Sequence, residues 1–308
     1  MNSTGVMARA EIEDVIDVGG GMEICFRSAG DPADPTVLLI AGLGQQLGVW
    51  PTELVDGLLA RGLHVVRFDN RDVGRSGRAG CRPPSGVQFL TRRFSPAQYT
   101  LGAMSCDAAG LLDRLGIGPA HLVGMSMGGM IAQTLAAREP ERVLSLTSIM
   151  STTGASRLGR PALSTWLRLA QPPAKTREIS AERTVAMMRH IGSRGYPFDA
   201  DRVRAGALED WDRAGGSQAA GVARQLAAIF KSGDRSAEVA RISVPTLVIH
   251  GDRDPMVHPS GGGATAKAIA GARHRTIAGM GHDLPAGACP LLVDEIAAHV
   301  EGAVASAA

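Results

Sequence analysis

Short, unbroken runs of aliphatic and β-branched residues recur along the chain, each closed by turn-forming residues: 36–40 (TVLLI), 64–68 (HVVRF), 121–125 (HLVGM), 144–150 (LSLTSIM) and 246–250 (TLVIH). Continuous apolar character, rather than alternation, is what a strand buried on both faces requires, and such strands are usually parallel. Between the runs, 103–115 and 129–138 repeat their apolar positions with helical spacing. Strand and helix thus alternate, which predicts an α/β fold: a mostly parallel central sheet flanked by helices.

The strand signal stops at about residue 154 and resumes at Val244. Between them lie arginine- and alanine-rich segments of helical period, such as TVAMMRHIG and GVARQLAAIF, interrupted by QPPAK and RGYPFDADR. The pattern predicts a core of 1–153 and 242–308, with 154–241 inserted as a helical lid over the carboxyl edge of the sheet. A further strand is expected at 275–278 and a closing helix at 291–301, with a disordered tail after Glu301.

Composition narrows the function classes. The chain has 308 residues, 44% of them hydrophobic, ample for one large core. The net charge is only +2 and the arginines are dispersed, so no nucleic-acid footprint is expected and a small-molecule partner is the default. Cys25, Cys81, Cys106 and Cys289 form neither a C-x-x-C pair nor a regular framework, which argues against a zinc site or a disulfide scaffold and for a reducing, cytoplasmic setting. The N-terminal MNSTGVMARAEIEDVIDV lacks the features of a leader peptide, and no apolar stretch is long enough to span a membrane.

Candidate chemistry begins at Gly124-Met125-Ser126-Met127-Gly128, a G-x-S-x-G pattern. In a chain with 39 glycines the pattern alone is weak. Its setting is specific: a buried strand runs into it and an amphipathic helix leaves it, the sharp turn that exposes a serine nucleophile. The strained backbone leaves no room for side chains at Gly124 and Gly128, and the helix N-terminus turns N–H groups toward the place where an anionic intermediate forms.

A serine needs a base, and the base needs an orienting carboxylate. Of the eight histidines, His282 lies in a glycine- and proline-containing loop (AGMGHDLP) after the expected last strand, where it can reach the top of the sheet. The loop after 246–250 offers Asp252 and Asp254; Asp254 is preferred, being deeper in the loop and fixed by Pro255. The oxyanion would be held by the N–H of Met127 and by that of Leu43, in the loop AGLGQQ after the first central strand. No metal or organic cofactor is required by this chemistry. Six methionines (125, 127, 130, 150, 187 and 188) fit ordinary core packing first; any that reach the pocket would give it soft apolar walls, which points to an apolar or amphipathic substrate.

Together AGLGQQ, FDNRDVGRSGR, GMSMGGM, IHGDRDP and GMGHDLP resemble the α/β-hydrolase superfamily along nearly the whole chain. The chain is most similar to the branch that contains aclacinomycin methylesterase and the lipase- and esterase-like proteins of actinobacteria. The resemblance places nucleophile, acid and base on Ser126, Asp254 and His282, and the oxyanion donors on Leu43 and Met127. It implies hydrolysis of a small ester through an acyl-enzyme. A thioesterase, a carbon–carbon bond hydrolase and a cofactor-free perhydrolase would use the same residues, and a ligand-binding protein could occupy the same scaffold. Related enzymes with an aspartate nucleophile, such as epoxide hydrolases, are disfavoured by the serine. One departure is that the oxyanion loop opens with Ala41-Gly42 where many members have His-Gly, and Arg71 and Asp72 are read as structural.

Overall fold

The computed structural model describes residues 11–307. The first ten residues, over which part of the leader-peptide reading runs, lie outside them. Strands β1 (Ile12–Asp17), β2 (Glu23–Ala29), β3 (Thr36–Ile40), β4 (His64–Phe68), β5 (Ala120–Met125), β6 (Val143–Ile149), β7 (Thr246–Gly251) and β8 (Arg273–Ile277) form one sheet. Its order is β1-β2-β4-β3-β5-β6-β7-β8. The β1–β2 and β2–β4 pairs are antiparallel and the rest parallel. All five apolar runs are strands.

The pleat divides the core. Leu38 and Ile40 of β3 join one buried cluster with α3 (Leu101–Arg114) and α4 (Met127–Arg138). Val37 and Leu39 join the other, with α1 (Thr52–Leu59) and α11 (Cys289–Ala307). Because β3 pairs with β4 on one side and β5 on the other, the chains leaving β3 and β5 depart to opposite faces. This reversal makes a switch point at the carboxyl edge, the place where open α/β sheets bind ligands.

The remaining helices are α2 (Gly86–Thr91), α5 (Leu163–Leu169), α6 (Arg177–Ile191), α7 (Ala200–Arg213), α8 (Ala219–Ser232), α9 (Ser236–Val239) and α10 (Ser260–Ala268). Helices α5 to α9 lie between β6 and β7, and that segment holds no strand among the described residues. Its last part is built into the core, since Ala228 and Val239 belong to the cluster beneath α3 and α4. Two features depart from the sequence expectation. An N-terminal hairpin, β1–β2, turns through Gly19, Gly20 and Gly21, all at positive φ. The tail after Glu301 is not disordered: α11 continues to Ala307, as a stretch rich in alanine favours.

Candidate active site

Ser126 follows β5 and caps α4 with φ 54° and ψ −120°, a conformation disfavoured for a residue with a side chain. Close packing of backbone holds it there. A Cβ on Gly124 would lie 2.3 Å from the carbonyl oxygen of Gly128, and one on Gly128 only 1.9 Å from that of Ile40. The Ser126 N–H donates to Ile149 O at 2.9 Å, and Ser151 Oγ donates to Ser126 O at 2.7 Å. The side chain therefore projects from a fixed point above the sheet.

His282 and Asp254 converge on that point. Ser126 Oγ lies 2.9 Å from His282 Nε2, and His282 Nδ1 lies 2.6 Å from Asp254 Oδ2. The chain of donors is consistent in one direction: Nδ1–H donates to the carboxylate, leaving Nε2 to accept from the serine hydroxyl. Asp254 Oδ1 accepts the N–H groups of Met256 and Val257, each at 2.8 Å, which locks the carboxylate. Asp252 is spent elsewhere, on the N–H of Gly279 at 2.7 Å. Burial by itself would raise the Asp254 carboxyl, but the His282 charge and hydrogen bonds from His250, His282 and Val257 N–H outweigh it and hold the group well below the ordinary carboxylate range. Next to His282, burial pushes the Asp283 carboxyl up against the pull of two hydrogen bonds from Ser193.

The loop after β3 lies against the serine: a Cβ on Gly42 would be 3.4 Å from Ser126 Cβ. Gly42 N–H donates to Gln45 Oε1 and Gly44 N–H to Gln225 Oε1, both at 2.9 Å. Leu43 sits between these two tethered amides. Asn70 Nδ2 donates to Ala41 O at 3.0 Å, so asparagine and glutamine side chains supply the support of a loop that opens with Ala41-Gly42. Met127 is the first residue of α4, and its N–H belongs to the helix terminus beside Ser126.

The inserted helices touch each of these loops. From α8, Gln225 bridges the loop after β3 and the loop after β4, its Nε2 donating to Arg71 O at 2.8 Å. Arg224 Nε pairs with Asp72 Oδ2 at 2.9 Å, and Gly221 lets α8 approach so closely that a Cβ there would be 2.0 Å from Asp72 O. Arg71 binds Asp107 of α3 through two contacts of 2.5 Å. Arg71 and Asp72 thus tie the loop after β4 to α3 and to the inserted α8. At the other end, Ile191 O of α6 accepts His282 N–H at 2.7 Å, and Thr165 Oγ1 of α5 donates to Pro255 O at 3.1 Å.

Three contributors went unread in the sequence: Gln225, Asn70 and His250. Buried His250 donates from Nε2 to Val257 O at 2.8 Å and lies 3.3 Å from Asp254 Oδ2, while its Nδ1 has no hydrogen-bond partner among the described residues. It stiffens the turn that presents Asp254. Its position four residues before Asp254, in IHGD, is the only signal that could have marked it.

Residues 35–285 match the model of the α/β-hydrolase fold family. The chain belongs to the α/β-hydrolase family. This α/β-hydrolase is 34% identical over 293 residues to rhodomycin D methylesterase DnrP of Streptomyces peucetius, and 35% identical to rhodomycin D methylesterase DauP of Streptomyces sp. (strain C5). Each match covers 89% of this chain and 93% of the relative. Among solved structures, the fold superposes on 2-hydroxy-6-oxo-6-phenylhexa-2,4-dienoate hydrolase from Rhodococcus sp. strain RHA1 with a TM-score of 0.74 at 19% identity, covering 95% of this chain and 99% of that one.

Proposed function

We propose that this α/β-hydrolase is a serine carboxylic ester hydrolase that cleaves a methyl ester of a small apolar or amphipathic acid. The observation that carries the proposal is the unbroken relay Ser126 Oγ, His282 Nε2, His282 Nδ1, Asp254 Oδ2, with contacts of 2.9 and 2.6 Å, beside the loop of Leu43. The two methylesterase relatives, similar over nearly their full length, support the choice of bond.

In this mechanism His282 takes the proton of Ser126 as Oγ attacks the ester carbonyl. The N–H groups of Leu43 and Met127 hold the resulting oxyanion. His282 then gives its proton to the departing alkoxide, so the alcohol leaves and the acyl group remains on Ser126. A water molecule, deprotonated in turn by His282, releases the acid and restores the serine. Asp254 keeps the imidazole in the required tautomer and stabilises its charged form. Residues 154–241 act as the lid, and the four unpaired cysteines support a cytoplasmic setting.

The test compares hydrolysis of a methyl ester and of an acyl thioester with the same aromatic acyl group, in wild type and Ser126→Ala. The proposal expects kcat/KM for the methyl ester to exceed that for the thioester, and both to vanish in the variant. A preference for the thioester would replace methyl ester by thioester as the bond cleaved.

A further inference from the structure

We propose that α2, which follows β4, and α5 of the inserted segment together carry a docking surface for an anionic lipid bilayer, on either side of Phe230 of α8. Phe230 is the hub: the ring centroids of Phe89 and Trp166 lie 6.0 and 6.1 Å from its own, and the Arg92 guanidinium 3.5 Å. This stack fixes α2 and α5 as neighbours. What they turn to water is apolar: Val87 and Leu90, one turn apart on α2, are 69% and 85% exposed, and Leu163 and Leu167, one turn apart on α5, are 77% and 67% exposed. Single exposed leucines are ordinary, whereas two apolar stripes held side by side make a patch that marks an interaction site.

Charge decides the occupant. No acidic residue occurs between Asp72 and Asp107, the stretch that contains α2, or between Glu141 and Glu178, the stretch that contains α5. Within them Arg82, Arg92, Arg93, Arg160, Arg168 and Lys175 are exposed and enter no ion pair among the described residues. A second copy of the chain would oppose these cations with cations. An anionic headgroup layer complements them, while the four aliphatic side chains enter the boundary of the acyl region, the arrangement by which amphipathic helices lie in a bilayer interface. The surface stands on helices that also rest on Pro255 and Gly44, so docking holds the cap and the loops beneath it at the interface, where an amphiphile concentrates.

The test is flotation of the full chain with vesicles of phosphatidylcholine alone and of phosphatidylcholine containing roughly 30% phosphatidylglycerol, comparing wild type, L90S/L167S and R92Q/R93Q/R168Q. Wild type is expected to float with the anionic vesicles only, less so as salt is raised, and both variants to lose at least about tenfold in partitioning. Thermal unfolding and turnover of a water-soluble ester, which should be unchanged, certify the folds. Failure of wild type to float, or full retention by L90S/L167S, overturns the proposal. So does a wild-type dimer in sedimentation that L90S/L167S dissolves, which would assign the face to a second copy.

Discussion

Replacing Gln225 by alanine should cripple turnover although the side chain lies on α8, outside the hydrogen-bonded relay of Ser126, His282 and Asp254. Gln225 is fully buried, accepts from Gly44 N–H at 2.9 Å and donates to Arg71 O at 2.8 Å. Its removal leaves one backbone donor and one backbone acceptor unmet, each costing about 1–3 kcal/mol. The combined penalty, about 2–6 kcal/mol, is large enough to move the Gly42–Gln45 turn out of register with Ser126. An oxyanion donor is worth about 10²–10³ in kcat, so displacing Leu43, the proposed donor, predicts that kcat for p-nitrophenyl acetate falls about 10²-fold while KM changes by less than about threefold. Gln225→Glu restores the acceptor for Gly44 but sets a carboxylate against Arg71 O, so only partial recovery is expected. Stopped-flow kinetics beside thermal unfolding of each variant separate the effect from global instability. A folded Gln225→Ala protein whose kcat stays within about twofold of wild type would refute the reasoning.

Two other perturbations probe different parts of the account. His250→Leu leaves Val257 O without its donor and should lower kcat by about tenfold together with thermal stability, whereas His250→Gln, which can still donate, should recover most of both; equal defects in the two variants would show that shape, not the hydrogen bond, matters. Burial, reinforced by the nearby charge of Asp69, pushes the Asp210 carboxyl up to about 7, so between about pH 4 and 7 the unfolded chain releases a proton that the folded chain keeps, and folding is progressively disfavoured as pH rises through that window. Asp210→Asn should therefore gain in unfolding temperature over wild type from pH 4 to pH 8, and a pH-independent difference would contradict the assignment.

The legible parts of the chain are those whose physics is local. A strand covered by helices on both faces must be apolar throughout, so β3, β4, β5, β6 and β7 announce themselves. The β1–β2 hairpin does not, because β1 is an edge strand of mixed and partly exposed residues, IEDVID, that imposes no apolar run. The serine turn was readable because backbone crowding dictates its glycines over five consecutive residues, and Asp254 and His282 because each sits in a short loop directly after a strand. Gln225 could not be found this way: its partner Gly44 is 181 residues distant and offers only a backbone amide, which writes nothing into the sequence. His250 was passed over because a histidine at the end of a buried strand looks like any other core position. Arg71 and Asp72, expected to be structural, lie in ion pairs with Asp107 and Arg224.

The central claim is that Ser126 is the nucleophile. It is tested most directly by incubating wild type and Ser126→Ala with a fluorophosphonate probe, mapping the labelled peptide by mass spectrometry and measuring ester turnover in parallel. The account predicts a single adduct on Ser126, no adduct in the variant, and a fall in turnover of order 10⁴ or more. Labelling elsewhere, or a folded wild-type protein that neither labels nor turns over ester, would contradict it.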